Sequence, residues 1–329
     1  MALLSVKAKT LADWSKEIDP DGKTSIIVEM LSQSNQILED QLFIEGNLPT
    51  GHRHTVRTGL PSVYWRLMNQ GVPASKATSA QVDEACATLE ARSEVDKDIA
   101  TLNGNVNSFR LNESMAFLES MAQESAQTIF YGNGLSEPEA YTGLAVRYSS
   151  LSANNSQNIL DAGGTGSDNS SIWLVTWGDH TCHGIFPKGS TAGLQHEDLG
   201  QGDAFDSNND RFRAYMDRYT FKQGLALPDW RYTARIANID VSNLGEASAA
   251  DLPDFMIKAI HRMPNLNTGS MYFYMNRTCF QHLDIQRRND VITGAGLKFD
   301  NVDGKAMFTF RGIPVRICDA LTETEARVT

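Results

Sequence analysis

What this chain lacks narrows its function before any motif is read. It has only four cysteines in 329 residues, Cys86, Cys182, Cys279 and Cys318. They are widely scattered and form no metal knuckle, so reduced, buried thiols of a protein made in the cytosol are expected. No apolar run reaches the length a bilayer needs, which predicts no membrane association. The opening Met1–Thr10 is too short and too weakly apolar for a signal peptide, so a soluble product without a route to secretion is expected. Cations are also in deficit: 29 Lys and Arg stand against 40 Asp and Glu, a net charge of -11. That balance argues against a protein whose main task is gripping nucleic-acid phosphates.

Catalytic and cofactor signatures are missing too. Gly163-Gly-Thr-Gly166 lacks the dinucleotide spacing and a strongly buried strand before it. Gly189-Ser-Thr-Ala-Gly193 carries its serine one position too early for a nucleophile elbow. Gly304-Lys305 has neither the phosphate-loop spacing before it nor the hydroxyl after it. His180, Cys182, His183 and His196 offer four possible zinc ligands within seventeen residues. On a strand, however, His183 faces away from His180 and Cys182, so a shared ion needs a bend. Ordinary strand and loop residues account for the same letters. Acidic side chains are plentiful but scattered, and no acid/base pair stands out. Catalytic residues, metal ligands and cofactors are therefore each predicted as none.

What is present is a large core with thin outlying segments: apolar residues make up 41% of the chain. Asp19-Pro-Asp-Gly22 signals a turn. From Ser25, the spacing of Ile27, Met30, Leu31, Ile37, Leu38 and Leu42 predicts a one-faced helix, covered by its own domain or by another subunit. Residues 47–95 then mix turn formers with isolated apolar residues. Ser62–Asn69 reads as a strand, broken by Gly71-Val-Pro73. Val82–Ala91 is ambiguous, with alanines favouring helix and alternation favouring strand, and we read it as a strand. The two make a long, polar, two-stranded excursion that is marginal unless it lies on a partner. Its basic residues His52, Arg53, His54, Arg57 and Arg66 suit a neighbour's carboxylates, with plain solvation as the alternative.

Ser108–Tyr131 predicts the longest helix, with Leu111, Met115, Leu118, Ala122, Ala126 and Ile129 in one stripe, widened by Phe109, Met121 and Phe130. Asn107 or Ser108 is the expected cap, and Gly132-Asn-Gly134 the expected left-handed stop. At 1.5 Å per residue such a helix is about 36 Å long, a spine. Tyr141–Leu160 reads as mixed strand and loop, and Asp161–Ser171 as a flexible turn. Ser171–Ile239 is dense in strands. Within it, Gln195–Arg213 reads as a loop or exposed hairpin. Asp251–Met263 predicts a helix with Leu252, Phe255, Met256, Ile257, Ile260 and Met263 on its apolar side. Ser270–Met275 predicts a strand, and Thr278–Arg288 a short helix bearing Phe280, Leu283 and Ile285. Leu297–Phe299 and Ala306–Phe310 predict a hairpin across Asp303-Gly304, followed by the strand Ile313–Cys318.

Several stretches together resemble the major capsid proteins of tailed double-stranded DNA bacteriophages, in particular a short-tailed group of about 330 residues. They are Ile129-Phe-Tyr-Gly-Asn133 with Tyr141-Thr-Gly-Leu144, and Trp173-Leu-Val-Thr-Trp-Gly178 with Gly184-Ile-Phe-Pro-Lys-Gly189. Gly224-Leu225, Asp229-Trp-Arg231 and Arg235-Ile-Ala-Asn-Ile-Asp240 follow, then Met271-Tyr-Phe-Tyr-Met-Asn-Arg277. Phe310-Arg-Gly-Ile-Pro-Val-Arg316 with Asp319 and Thr324-Glu325 complete the set. These are packing and turn signatures, and their number and order carry the resemblance.

The resemblance implies an α+β, Hong Kong 97-like coat fold. Its expected parts are an N-terminal arm (1–46), an extended two-stranded loop (47–100), a peripheral domain (101–150) with a spine helix at 108–131, an axial domain (151–290) and return strands to the peripheral domain (291–329). Trp177-Gly-Asp179 precedes the Gly-Ile-Pro-Val strand, whereas well-known members have a Gly-Asp segment after it, which allows a reordered connectivity. The implied function is self-assembly into hexamers and pentamers of an icosahedral shell around phage DNA; a minor structural or decorating protein of the same virion is the alternative. Implied partners are further copies of itself, a portal protein, a scaffolding protein, a decorating or cement protein, and packaged double-stranded DNA bound without sequence specificity. The implied location is the virion capsid, after assembly in the host cytoplasm. Candidate assembly contacts are His52, Arg53, His54, Arg57, Tyr64, Trp65 and Arg66, and candidate hinges are Gly51, Gly59, Gly71 and Gly104. Some relatives join a Lys to an Asn covalently. Lys76 is the only lysine between residues 47 and 95, so non-covalent closure is expected here.

Overall fold

The structure is a computed structural model that describes residues 33–101, 106–206, 208–246, 249–289, 297–302 and 305–329. The turn at Asp19–Gly22, the start of the helix expected from Ser25, the hinge candidate Gly104 and the turn Asp303-Gly304 lie outside the described residues. In chain order the helices are α1 (Ile37–Asp40), α2 (Lys97–Thr101), α3 (Val106–Tyr131), α4 (Leu144–Arg147), α5 (Leu252–Arg262) and α6 (Arg277–Asn289). The strands are β1 (Phe43–Glu45), β2 (Gly51–Gly59), β3 (Thr78–Asp96), β4 (Ile159–Asp161), β5 (Asn169–Trp177), β6 (His183–Phe186), β7 (Leu194–Phe205), β8 (Arg211–Ala226), β9 (Thr233–Asp240), β10 (Ser270–Met275), β11 (Leu297–Val302), β12 (Lys305–Phe310) and β13 (Ile313–Ile317). The chain divides into two compact units. Of the described residues, one holds 33–35 with those of Thr88–Ala126 and Thr191–Lys222; the other holds those of Gln36–Ala87, Gln127–Ser190 and Gln223–Thr329.

The larger unit is built on a seven-stranded mixed sheet in the order β11-β12-β13-β10-β5-β9-β4. Every residue of β5 is buried, because side chains alternate across a sheet that is covered on both faces. Ile172 and Leu174 point to one side, where Leu252, Met256, Ala259 and Ile260 of α5 close the main apolar cluster with Phe273, Met275 and Val315. Trp173 points to the other and meets Phe130 at the end of α3 and Tyr148 after α4, with ring centroids 6.1 and 5.8 Å away. Asp251 caps α5 by accepting the Asp254 amide, as its position before the apolar stripe favours. Residues 321–329 lie along the same sheet. Glu325 accepts from Arg235 at 2.8 Å, from Tyr131 and from Ser171, all in a buried setting, while Asn238 and Val328 exchange side-chain and backbone hydrogen bonds of 2.8 and 2.9 Å.

Among the described residues of the smaller unit, Val95, Ala100 and Phe109 form a buried apolar cluster, Met121, Ala126, Ala204, Ala214 and Tyr219 are also buried, and several ion pairs add to them. Arg110 on α3 reaches Asp217 at 2.7 Å and Asp198 at 2.9 Å. Burial alone would lower its pKa, but these two carboxylates outweigh that and raise it. His196 also meets Asp217, at 2.9 Å, and stacks on Tyr219. Arg218 reaches Glu90 at 2.7 Å.

The strands expected at Ser270–Met275 and Ile313–Cys318, the helix at Asp251–Met263, the hairpin at Leu297–Phe310 and the exposed hairpin around Gln195–Arg213 all form. The ambiguous Val82–Ala91 is strand. Ser62–Asn69 is not: it is irregular, and β2 instead pairs with β3 from Gly51↔Ala85 to Gly59↔Thr78. Its near-continuous apolar letters offer no alternating face, and among the described residues no strand pairs with it. The long helix starts at Val106, which puts Asn107 and Ser108 in its first turn and not at its cap. Its N-terminal stripe is only half realised, since Leu111 and Met115 are exposed. No residue of Gly132–Gly134 is left-handed. A methyl group on Gly132 or Gly143 would strike backbone carbonyls of the last turn of α3 or of Tyr141, so close approach explains both glycines. Tyr141–Leu160 contains α4 and a single turn of 3-10 helix before β4. The turn after Asp161 is shorter than expected, because Asn169–Ser171 already belong to buried β5. Ile285 of α6 is exposed.

Candidate assembly surface

The residues proposed as contacts all lie on the β2–β3 hairpin and its tip. Alternation along β2 half-buries His52, His54 and Val56, while Arg53, Thr55 and Arg57 face solvent. The root of the hairpin is tightly specified. Asn47 brackets Arg53 with two backbone hydrogen bonds of 2.7 Å. Gly51 is buried opposite Ala85, so close to the Glu84 carbonyl that a Cβ would collide with it. Glu84 is clamped by Arg147 of α4 through two hydrogen bonds of 2.6 Å. The same guanidinium donates to the carbonyls of Thr142 and Leu225.

His52 stacks on His54 and meets His183 of β6 edge-on, with ring centroids 6.2 and 5.8 Å apart. Burial lowers the pKa of both His54 and His183, because an imidazolium loses hydration there. His183 is buried, and among the described residues its ring nitrogens make no hydrogen bond of ordinary geometry, although the Gly178 backbone lies close enough to favour the protonated ring. Outward on the hairpin, Arg53 forms a two-point pair with Asp83, at 2.5 and 2.6 Å. Both are exposed, so the pair aligns the strands and adds little stability. Register shifts between Arg57 and Gly59.

Beyond Gly59 the chain runs to Ala77 without regular structure, tied by Ser75 to the Ser62 carbonyl at 2.7 Å. Leu60, Val63, Tyr64, Trp65, Leu67, Met68 and Val72 are all exposed there, and Trp65 is wholly so at 105%. A contiguous apolar segment of this kind marks an interaction site. Arg57, Arg66 and Lys76 make no ion pair among the described residues. Gly71 has open space around it.

The structure thus joins His52, Arg53 and His54 to Asp83, Glu84 and Arg147, which sequence reasoning missed, and to His183, which it had named only as a zinc candidate. It leaves Arg57, Tyr64, Trp65 and Arg66 facing outward. Glu84 and Arg147 are 63 positions apart, and no local spacing signals their pairing. The zinc candidates do not converge: His180 is exposed while Cys182 and His183 are buried. Among the described residues no cluster of His, Cys, Asp or Glu is arranged to hold a metal ion. Among them, too, no helix is long and apolar enough to cross a membrane.

Comparison with known proteins supplies the family. The model of the family described as Major capsid protein GP7 matches residues 19–329. A chain from the near-atomic cryo-EM structure of bacteriophage Epsilon15 is 32% identical, with a TM-score of 0.79 over 100% of both chains. A chain from the capsid of bacteriophage JBD30 is 9% identical, covers 91% of this chain and 96% of its own, and has a TM-score of 0.50, a likeness of fold alone. No curated protein matches. Extending over nearly the whole chain, these matches mean that the protein belongs to the GP7 major capsid family, the structural coat proteins of tailed double-stranded DNA phages with a Hong Kong 97-like α+β fold.

Proposed function

We propose that this chain assembles as hexamers and pentamers into the icosahedral shell that encloses phage double-stranded DNA. The observation that carries this reading is the β2–β3 hairpin, whose tip exposes seven large apolar side chains, Leu60 to Val72, that this chain does not cover. Burying such a segment on a neighbour offsets the cost of ordering it. In this reading residues 1–46 are the arm, 47–100 the extended loop, 101–150 the peripheral domain with the spine helix, 151–290 the axial domain and 291–329 the return strands. Tyr64, Trp65, Arg57 and Arg66 contact the neighbour, and His52, Arg53 and His54 act at the hairpin root. Gly51, Gly59, Gly71 and Gly104 let one sequence serve five-fold and six-fold rings, an idea supported by the bulge before Gly59 and the open surroundings of Gly71.

Assembly takes place in the host cytoplasm with scaffolding and portal proteins, and a decorating protein binds the outside. The net charge of -11 suits a shell that holds DNA without gripping it by sequence. With Lys76 the sole lysine of residues 47–95, closure is non-covalent. Electron microscopy of the purified protein tests the reading: closed shells, tubes or rings of identical copies are expected, and a persistent monomer at high concentration sinks it. Denaturing electrophoresis of particles should release single chains, without a ladder.

A further inference from the structure

Three imidazoles crowd the root of the β2–β3 hairpin. His52 and His54 lie two apart on β2 and so share one face, with ring centroids 6.2 Å apart. His52 also meets His183 of β6 edge-on, at 5.8 Å. No ladder joins these two strands: the sheet runs β1-β6-β8-β3-β2, so β8 and β3 stand between them in hydrogen-bonding order. The rings therefore connect strands that the backbone leaves unconnected. Nδ1 of His52, Nδ1 of His54 and both nitrogens of His183 are buried without an ordinary hydrogen bond, a state that calls for an explanation. The rings stack and meet edge-on, and they are not arranged to hold a metal ion. Neutral rings pack well in this way, whereas charged ones would repel.

The charged groups that face the cluster are largely engaged elsewhere. Arg53 of β2 holds Asp83 of β3, and Arg147 of α4 holds Glu84 of β3. Asp179, ahead of β6, is 70% exposed and lies 3.8 Å from the equally open His180. Gly224 to Ala226 of β8, which pair with β6, carry no charge. On β1, Glu45 stands opposite Phe186, at the far end of β6, and accepts the Gly189 amide. Burial is the first cause that depresses the pKa of His54 and His183, and His52 pushes each down further; Glu84, Asp83, Asp179 and the Gly178 backbone act the other way without reversing it.

We propose that His52, His54 and His183 form a proton-operated latch: as neutral rings they hold β2 against β6, and protons on His54 and His183 drive the strands apart and free the hairpin to pivot at its root. The inference rests on the shell-forming reading only where it concerns assembly. A hairpin released at its root no longer presents its tip in one direction, so acid suppresses shell formation. The closed root binds fewer protons than the open one. Opening is therefore independent of pH well above the ordinary imidazole value of about 6.5 and grows as pH falls through it. Each proton taken up on opening changes the equilibrium about tenfold per pH unit there.

The test follows amide hydrogen exchange of the unassembled full-length protein, corrected for the intrinsic effect of pH, beside sedimentation of assembled particles. Between about pH 7.5 and about pH 5.5 the wild-type strands β2 and β3 should lose protection by about tenfold or more, while buried β5 keeps its own. The yield of particles should fall over the same range. His54→Phe with His183→Phe keeps aromatic rings that cannot take a proton, and its hairpin should be equally protected at both pH values. If that chain folds poorly, His54→Phe alone, at a half-buried site, should lose protection by a smaller factor than wild type. Equal wild-type protection at both pH values, or an undiminished loss in either variant, overturns the latch. Particles that form equally well at both pH values overturn its control of assembly. Wild-type chains that form no particles at either pH defeat the shell-forming reading itself, and exchange on the unassembled chain still decides the latch.

Discussion

Arg147 holds Glu84 with two hydrogen bonds of 2.6 Å, and it is this pair, not the strand ladder, that anchors β3 to α4. The Glu84 side chain is 7% exposed and that of Arg147 18%. Burial alone would lower the Arg147 pKa, but Glu84 outweighs it and keeps the guanidinium charged. Glu84→Gln would strand a buried cation, a change that costs about 3–5 kcal/mol. Denaturant unfolding of the unassembled protein should show that loss. Asp83→Asn, whose pair with Arg53 is exposed, should change the midpoint hardly at all.

Acid should loosen the hairpin root. The folded state depresses the pKa of His54 and His183, burial being the first cause. Glu84 and Asp83 pull His54 upward while His52 and Arg147 push it down; Asp179 and the Gly178 carbonyl pull His183 upward while His52 and His54 push it down. A histidine with a lowered pKa binds fewer protons folded than unfolded. Stability is therefore unaffected well above the ordinary value of about 6.5 and falls as pH drops through it toward the lowered value. Between about pH 7 and 5 the unfolding midpoint should fall, and His183→Gln with His54→Gln should flatten that slope relative to wild type. An equal slope in the variant would refute the assignment.

Gly143 is sterically indispensable. An added Cβ would stand 2.6 to 2.9 Å from the carbonyl oxygens of Thr128, Ile129 and Phe130. Backbone at a helix end cannot give way as a flexible side chain can. Gly143→Ala should cost about 1–3 kcal/mol by overpacking, read as a lower melting temperature. Gly71→Ala, with nothing nearby to strike, should melt as wild type does.

Trp65 offers a test of whether assembly buries the hairpin tip. It is solvent-exposed in the single chain, whereas Trp173 and Trp177 are buried. Assembly should shift tryptophan emission to the blue, and Trp65→Phe should remove most of that shift. An unchanged shift in the variant would mean that the tip stays in water.

Legibility from sequence followed the range of the interactions. Ser270–Met275 and Leu252–Arg262 were readable because alternation and a helical stripe are local consequences of facing one core. Ser62–Asn69 misled because Val63, Tyr64, Trp65, Leu67 and Met68 look like a buried strand, yet all five are exposed. The helix does stop before Gly132, but that glycine serves close backbone approach and not the expected left-handed turn. The basic residues of β2 stood out by charge contrast alone. Glu84 and Arg147 did not, since each matters through a partner 63 positions away.

Residue order alone settled the periodic elements, the absence of catalytic signatures and the family likeness, because each is carried by neighbours along the chain. Only the tertiary structure decided which apolar residues are covered and which carboxylate meets which guanidinium. Burial and ion pairing depend on surfaces brought together from far apart, and similar apolar letters make a buried strand in β5 but an exposed tip between Leu60 and Val72.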